Sequence, residues 1–215
     1  MKVGEDWLAS REKRAMDIAI AAAALPPSIA IGSLAAAVLF AETPGRSPLF
    51  WQQRIGHSPN ELISVPKLRT LRGAITHKSS GGYNHPEATT MGKITRAIHV
   101  DELPQLALVL AGKMSIIGPR PHVADSHEKI MDELSASEQT DYLWALKVAK
   151  PGLIAPNSHL QHIDGSDFAD NAATGLAVIE YARTASLATD LRIMARGAQA
   201  MAGDTTWHYA RTSHT

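Results

Sequence analysis

The chain has 215 residues, 45% of them apolar, and Lys+Arg and Asp+Glu both number 21. A neutral chain lacks the broad positive field that nucleic-acid binding needs, so that class is set aside, and wholesale disorder with it. Cysteine is absent, which removes disulfide scaffolds, thiol nucleophiles and thiolate zinc sites together and suits a reducing compartment.

Residues of mixed charge, among them Glu5, Asp6, Glu12 and Asp17, lead into a run of 24 residues without a charge, Ile18 to Ala41. As one helix this run is roughly 36 Å long, enough to cross a bilayer core. Its charged lead-in and its length set it apart from a secretory signal peptide. Buried soluble helices rarely stay uncharged for so long, so membrane insertion is the expected role. Pro26-Pro27 falls near the middle. Each proline lacks an N–H, and the second disfavours helical geometry at the first. The run is therefore expected as two short helices joined at a break, where Ser28 can bond a freed carbonyl. A re-entrant hairpin and a kinked spanning helix both suit the local sequence. Arg11, Lys13 and Arg14 favour a cytoplasmic N-terminus in either case.

The remainder, 42–215, reads as a separate soluble domain without internal repeats. Residues 50–72 contain short extended pieces around a turn at His57-Ser58-Pro59-Asn60. Residues 73–92 and 163–175 read as loops, the first rich in Gly, Ser and Thr. Leu103, Leu106, Ala107 and Leu110 fall on one helical face. A mostly acidic helical stretch occupies 121–149, and a last helical segment runs from Leu176 to Met201. Trp7, Trp51 and Trp144 each suit a membrane interface or a packed core. The ten histidines form no HExxH; His159 and His162, the one close pair outside obvious loops, read as solvated rather than metal-bound. No Walker or dinucleotide loop and no nucleophile elbow is present.

The chemistry concentrates between Gly92 and Pro121. Asp101-Glu102 stands just before Leu103-Pro104, which puts both carboxylates at or beside a helix N-terminus. Acidic N-capping is one role for such residues. A second is catalytic: a helix N-terminus keeps a carboxylate ionised and attracts phosphate. Paired carboxylates also suit Mg²⁺ bridging to a phosphorylated substrate, and an ionised Asp can attack phosphorus.

The strings DELPQ (101–105) and MSIIGPRP (114–121) together resemble the bacterial sugar transferases, the monotopic phosphoglycosyl transferases. Lys13-Arg14 and Asp17 before the proline-containing run are similar to that family's re-entrant membrane helix. Gln52, Arg54 and Gly56 resemble its QxRxG element, and Lys67-Leu68-Arg69-Thr70 its KFRT element. Gly92, Arg96 and Asp101 keep its spacing, while Lys150-Pro151-Gly152 and Ser186 to Met194 resemble its later turn and closing helix.

The resemblance implies a mixed α/β, mainly helical fold, with an N-terminal re-entrant hairpin (1–41) and a small cytoplasmic catalytic domain (42–215). It also implies transfer of a sugar 1-phosphate from a UDP-sugar to a polyprenyl phosphate at the cytoplasmic face of the inner membrane, with release of UMP. Asp101 would be the nucleophile and form an aspartyl-phosphosugar. Glu102 would hold Mg²⁺, with Asp101 as a further ligand, and Arg96, Arg120, Lys67 and Arg69 would bind substrate phosphates. The lipid bilayer is an implied partner, and a second copy or polysaccharide assembly proteins are further ones. Departures at Lys113 and across 153–162 motivate an alternative, a degenerate homologue acting as a membrane scaffold. A periplasmic binding protein with a cleaved N-terminus is a third reading.

Overall fold

Ser10 starts the longest element of the chain. Its hydroxyl accepts from the Lys13 N–H and caps α2, which runs from Arg11 to Glu42 after the short α1, Val3–Leu8. The computed structural model describes residues 3–73, 85–157 and 171–211, with Val3 and residues 200–211 as backbone only. The break expected at Pro26-Pro27 is not seen: α2 is helical through both prolines. Alanine-rich flanks are the best helix formers available, and the proline ring itself fixes a helical φ. Helical backbone therefore persists although two N–H donors are missing. At the far end the Thr43 hydroxyl bonds back to the Leu39 carbonyl at 2.7 Å and stops the helix.

Burial along α2 is confined to its ends. Lys13, Asp17 and Ala21 are buried at one end and Ala35 and Leu39 at the other. Between and around them Ile29, Ile31, Leu34 and Phe40 stay 50–68% exposed. Both ends rest on the same body. Ala21 joins a core with Leu106, Val109, Met114 and Ile117, and Ala35 and Leu39 pack on Leu68 and Val100.

The body is mixed α/β and mainly helical. The extended pieces expected around the turn at His57–Asn60 are β1 (Leu49–Ile55) and β2 (Leu62–Leu68), which pair as an antiparallel hairpin with Trp51 opposite Pro66. α3 (Thr90–Ala97) follows, capped by Thr89. The apolar face at Leu103–Leu110 is divided between a 3-10 helix, Val100–Gln105, and α4, Leu106–Leu110. Pro104 cannot donate to an α-helical ladder, which accounts for the tighter first turns. β3 (Ser115–Ile117) pairs in parallel with β4 (Gly152–Ile154), and the acidic stretch between them forms α5 (Ala124–Glu133) and α6 (Ala136–Val148). The last segment is two helices, α7 (Asn171–Thr184) and α8 (Leu187–Arg211). α7 thus starts inside the stretch expected as a loop. Residues 74–84, and His159 and His162, lie outside the described residues.

Two of the three basic residues ahead of the apolar run are structural contacts. Lys13 sits between two buried carboxylates, 3.1 Å from Asp17 and 3.0 Å from Asp190. Asp17 also accepts from Ser115 and the Ile116 N–H, and Asp190 from Trp7 and Tyr181. Arg14 donates to the Val109 and Leu110 carbonyls. These bonds lock the N-terminal half of α2 onto β3, α4 and α8. Trp7 and Trp144, the latter bonded to Glu5 at 2.6 Å, are likewise held by the body, and Trp51 is 60% exposed.

Candidate active site

Two glycines set the position of the GPRP loop. A Cβ on Gly118 would lie 2.1 Å from the Lys150 carbonyl oxygen, and one on Gly152 would lie 2.2 Å from the Gly118 nitrogen. Only paired glycines allow the loop after β3 to press onto the turn before β4. This contact, with the Gly152 N–H donating to the Pro119 carbonyl at 2.8 Å, directs Arg120 toward the 3-10 helix. The backbone just before the dyad is unusual too: His99 has φ of 55°, the left-handed region, and so turns the chain into that helix.

Five of the six sequence-predicted residues converge here. Lys67 at the end of β2 lies 2.7 Å from Glu102 Oε1, and Arg120 Nη2 lies 2.8 Å from the same oxygen. Arg96, in the last turn of α3, bonds Thr70 Oγ1 at 3.2 Å and adds to the positive field on Asp101. Arg69 is not brought in. It donates to the Ser47 carbonyl and lies over the Phe50 ring, on the side of the hairpin where α2 ends.

The two carboxylates have opposite environments. Burial opposes the charge on Glu102, yet Arg120 and Lys67 outweigh it and hold the group well below its usual pKa. Glu102 is therefore ionised and engaged. Asp101 is pushed up to about 6, chiefly by burial and further by Glu102, with Lys67, Arg96 and Arg120 opposing. Among the described residues no donor bonds its side chain. A buried carboxylate without a hydrogen bond is costly to keep ionised, and its electron pairs stay available.

Arg54 is a site residue that sequence reasoning underweighted. It is 8% exposed, bonds Gln52 Oε1 at 2.5 Å and 3.1 Å and the Pro121 carbonyl at 3.1 Å, and is lowered to about 10 by burial and by Arg120. The i, i+2 spacing of Gln52 and Arg54 on a strand was the available signal, since it puts both on one face. His122 was also missed. It lines a small hollow beside Arg120 with Ile55, Gly56, His127 and Tyr142, and burial, then Arg120 and Arg54, lower it to about 3. It is neutral across the physiological range.

The chain matches the family model described as bacterial sugar transferase over residues 8–204. It belongs to the bacterial sugar transferase family. A UDP-glucose:undecaprenyl-phosphate glucose-1-phosphate transferase of Caulobacter vibrioides is 34% identical over 191 residues, covering 86% of this chain and 67% of that one. A protein of the same name from Escherichia coli is 32% identical over 143 residues, covering 66% of this chain and 29% of that one. An undecaprenyl-phosphate galactose phosphotransferase of Salmonella typhimurium is 43% identical over 70 residues, 33% of this chain and 13% of its own. This sugar transferase is accordingly an enzyme, and the matched span contains the dyad and every cation around it.

The donor set can be tested for a divalent ion. Among the described residues no group of three or more His, Asp or Glu side chains converges, so an all-protein cage is absent from them. Asp101 and Glu102 still offer adjacent oxygen ligands, and Mg²⁺ commonly takes one or two carboxylates and completes its shell with phosphates and water.

Proposed function

We propose that the protein transfers a sugar 1-phosphate from a UDP-sugar to undecaprenyl phosphate, releasing UMP. The observation that carries this reading is the asymmetry of the dyad: a buried Asp101 that no described residue hydrogen-bonds, beside a Glu102 clamped by Lys67 and Arg120. An Asp101 oxygen attacks the β-phosphorus, and the bond from that phosphorus to the bridging oxygen breaks. UMP leaves with the electron pair, and an aspartyl-phosphosugar remains. A phosphate oxygen of the acceptor then attacks the same phosphorus and frees Asp101. Arg96, Arg120 and Lys67 are placed to neutralise charge on the phosphates, which is most of what phosphoryl transfer requires. Glu102, with Asp101 as a further ligand, would hold Mg²⁺, which would supply further neutralisation of the donor pyrophosphate. Neutral His122 offers an uncharged hydrogen-bonding group next to the phosphate cations.

α2 supports a membrane arrangement on one side of the bilayer. It is long and apolar enough to cross a membrane, yet both its ends are seated on one body. A helix whose two ends serve the same folded domain enters and leaves the bilayer on one side. This supports the re-entrant hairpin, with the body on the cytoplasmic face of the inner membrane where UDP-sugars are present. α2 would then bend at Pro26-Pro27 more sharply in lipid, where hydrogen bonds already missing at the prolines make bending cheapest.

The test is UMP release across a panel of UDP-sugars with undecaprenyl phosphate and Mg²⁺. Asp101→Asn removes the attacking charge and should lower turnover by several orders of magnitude. Without acceptor, the wild type should carry a sugar phosphate on the peptide containing Asp101. Near-normal UMP release by Asp101→Asn would refute the mechanism.

A further inference from the structure

Arg69, which the site does not use, has a companion. α2 stops at Thr43, and Arg46 follows in the turn that leads to β1. Arg46 is exposed and donates to the Gly73 carbonyl at 2.9 Å. Arg69 donates through Nε to the Ser47 carbonyl at 2.9 Å, its own N–H extends the hairpin ladder to the Pro48 carbonyl at 2.7 Å, and its guanidinium lies 5.9 Å from the Phe50 ring centroid. Backbone carbonyls and an aromatic ring thus hold both guanidiniums at one turn, Arg69 on the carbonyl of the residue that follows Arg46. The Arg69 guanidinium is held below its ordinary range, first by burial and then by Arg46. Among the described residues no carboxylate pairs with either one. Two like charges held together without a counterion cost energy unless an anion joins them.

The surroundings indicate where that anion comes from. Phe40 near the end of α2 and Leu49 at the start of β1 are 50% and 42% exposed, so exposed apolar residues bound, along the chain, the turn that carries Arg46. Arg69 is two residues beyond Lys67 on one extended run, about 7 Å along it. Lys67 in turn touches Glu102. A phosphate anchored by a lipid tail could therefore rest on the arginine pair and reach the dyad by advancing one strand repeat.

We propose that Arg46 and Arg69 form the docking site for the phosphate of the polyprenyl acceptor at the membrane surface. This rests on the transfer reading above. Two guanidinium forks suit a phosphate monoester dianion better than the monoanionic diester of a common phospholipid, which favours the acceptor over a bulk headgroup.

The experiment uses the full chain in neutral phosphatidylcholine vesicles, alone or doped to equal charge with undecaprenyl phosphate or with phosphatidylglycerol. Recruitment of the wild type should rise with undecaprenyl phosphate, and Arg46→Gln/Arg69→Gln should lose that gain. Arg69→Lys, which keeps charge but loses the fork, should be intermediate. In turnover assays the double variant should raise KM for undecaprenyl phosphate about ten-fold or more while KM for the UDP-sugar moves less than about two-fold. Equal recruitment by phosphatidylglycerol would mark a bulk headgroup site and overturn the proposal. A rise in donor KM instead, or wild-type recruitment and acceptor KM in the double variant, would overturn it as well. Loss of the transfer reading itself shows up differently, as a wild type that binds undecaprenyl phosphate yet releases no UMP.

Discussion

Asp101→Asn should make the protein more stable at neutral pH while abolishing its activity. Burial pushes the Asp101 carboxyl up to about 6 in the fold, against an ordinary value of 3.8. Because the folded value is raised, the favourable contribution of the protonated form is complete below about 3.8 and is lost as pH rises through 6. Above that range the ionised group costs the folded state on the order of 3 kcal/mol, two pKa units at about 1.4 kcal/mol each. An amide of the same shape carries no such cost. The variant should therefore gain about 1–3 kcal/mol at pH 8 and close to nothing near pH 4, with the gap opening between these limits. For a chain of this size each kcal/mol corresponds to about 2–4 °C in Tm. The measurement is thermal or denaturant unfolding of both proteins in detergent across that pH range, without donor or divalent ion, since either would offset the charge. Tryptophan fluorescence is a suitable probe, because Trp7 and Trp144 are fixed by Asp190 and Glu5. A variant less stable than wild type at pH 8, or a gap that does not shrink toward acid, would refute the account of Asp101 as an unpartnered buried charge.

The same ionisation should appear in catalysis: kcat/KM for the donor should rise with pH along a limb centred near 6, and a pH-independent rate from 5 to 8 would contradict it. Lys13→Met leaves Asp17 and Asp190 buried without their cation and should cost about 3–5 kcal/mol in unfolding free energy. Gly118→Ala drives a methyl into the Lys150 carbonyl; it should cost about 1–3 kcal/mol and depress turnover through Arg120, both measurable on the purified variant. His99→Gly should fold normally, whereas His99→Val, β-branched at a positive φ, should lose about 1–2 kcal/mol in denaturant titrations.

The dyad at a helix start and the two extended pieces were legible because short-range rules write them into the chain, whereas the cations around the dyad were implied by the resemblance to the family. Pro104 after Asp101-Glu102 marks a helix start, and the turn at His57–Asn60 separates two extended pieces. What was not legible depended on distance. Arg69 carries the same charge as Lys67 two residues away, and only the packing of the turn after α2 against the hairpin shows that it faces Ser47 and Phe50 instead of Glu102. Lys13 looked like a topology signal because nothing local reveals that Asp190, far along the chain, is its partner. Pro26-Pro27 looked like a break because the rule for prolines concerns missing hydrogen bonds, while the alanine-rich flanks decide whether helical backbone survives their loss.

These long-range contacts tie the long apolar helix to the candidate site. The Leu39 and Ala35 end of α2 packs on Val100, the first residue of the 3-10 helix that carries Asp101 and Glu102. Its other end is bonded through Asp17 to β3, whose last residue, Ile117, directly precedes the Gly118–Arg120 loop. One apolar element therefore braces both the dyad and the arginine that clamps it. A change in how α2 sits, such as loss of its N-terminal anchor, would act on both the Glu102 and the Arg120 sides of the site. A body lacking α2 would lose both braces at once, so the geometry of the site depends on the one helix that is long and apolar enough to cross a membrane.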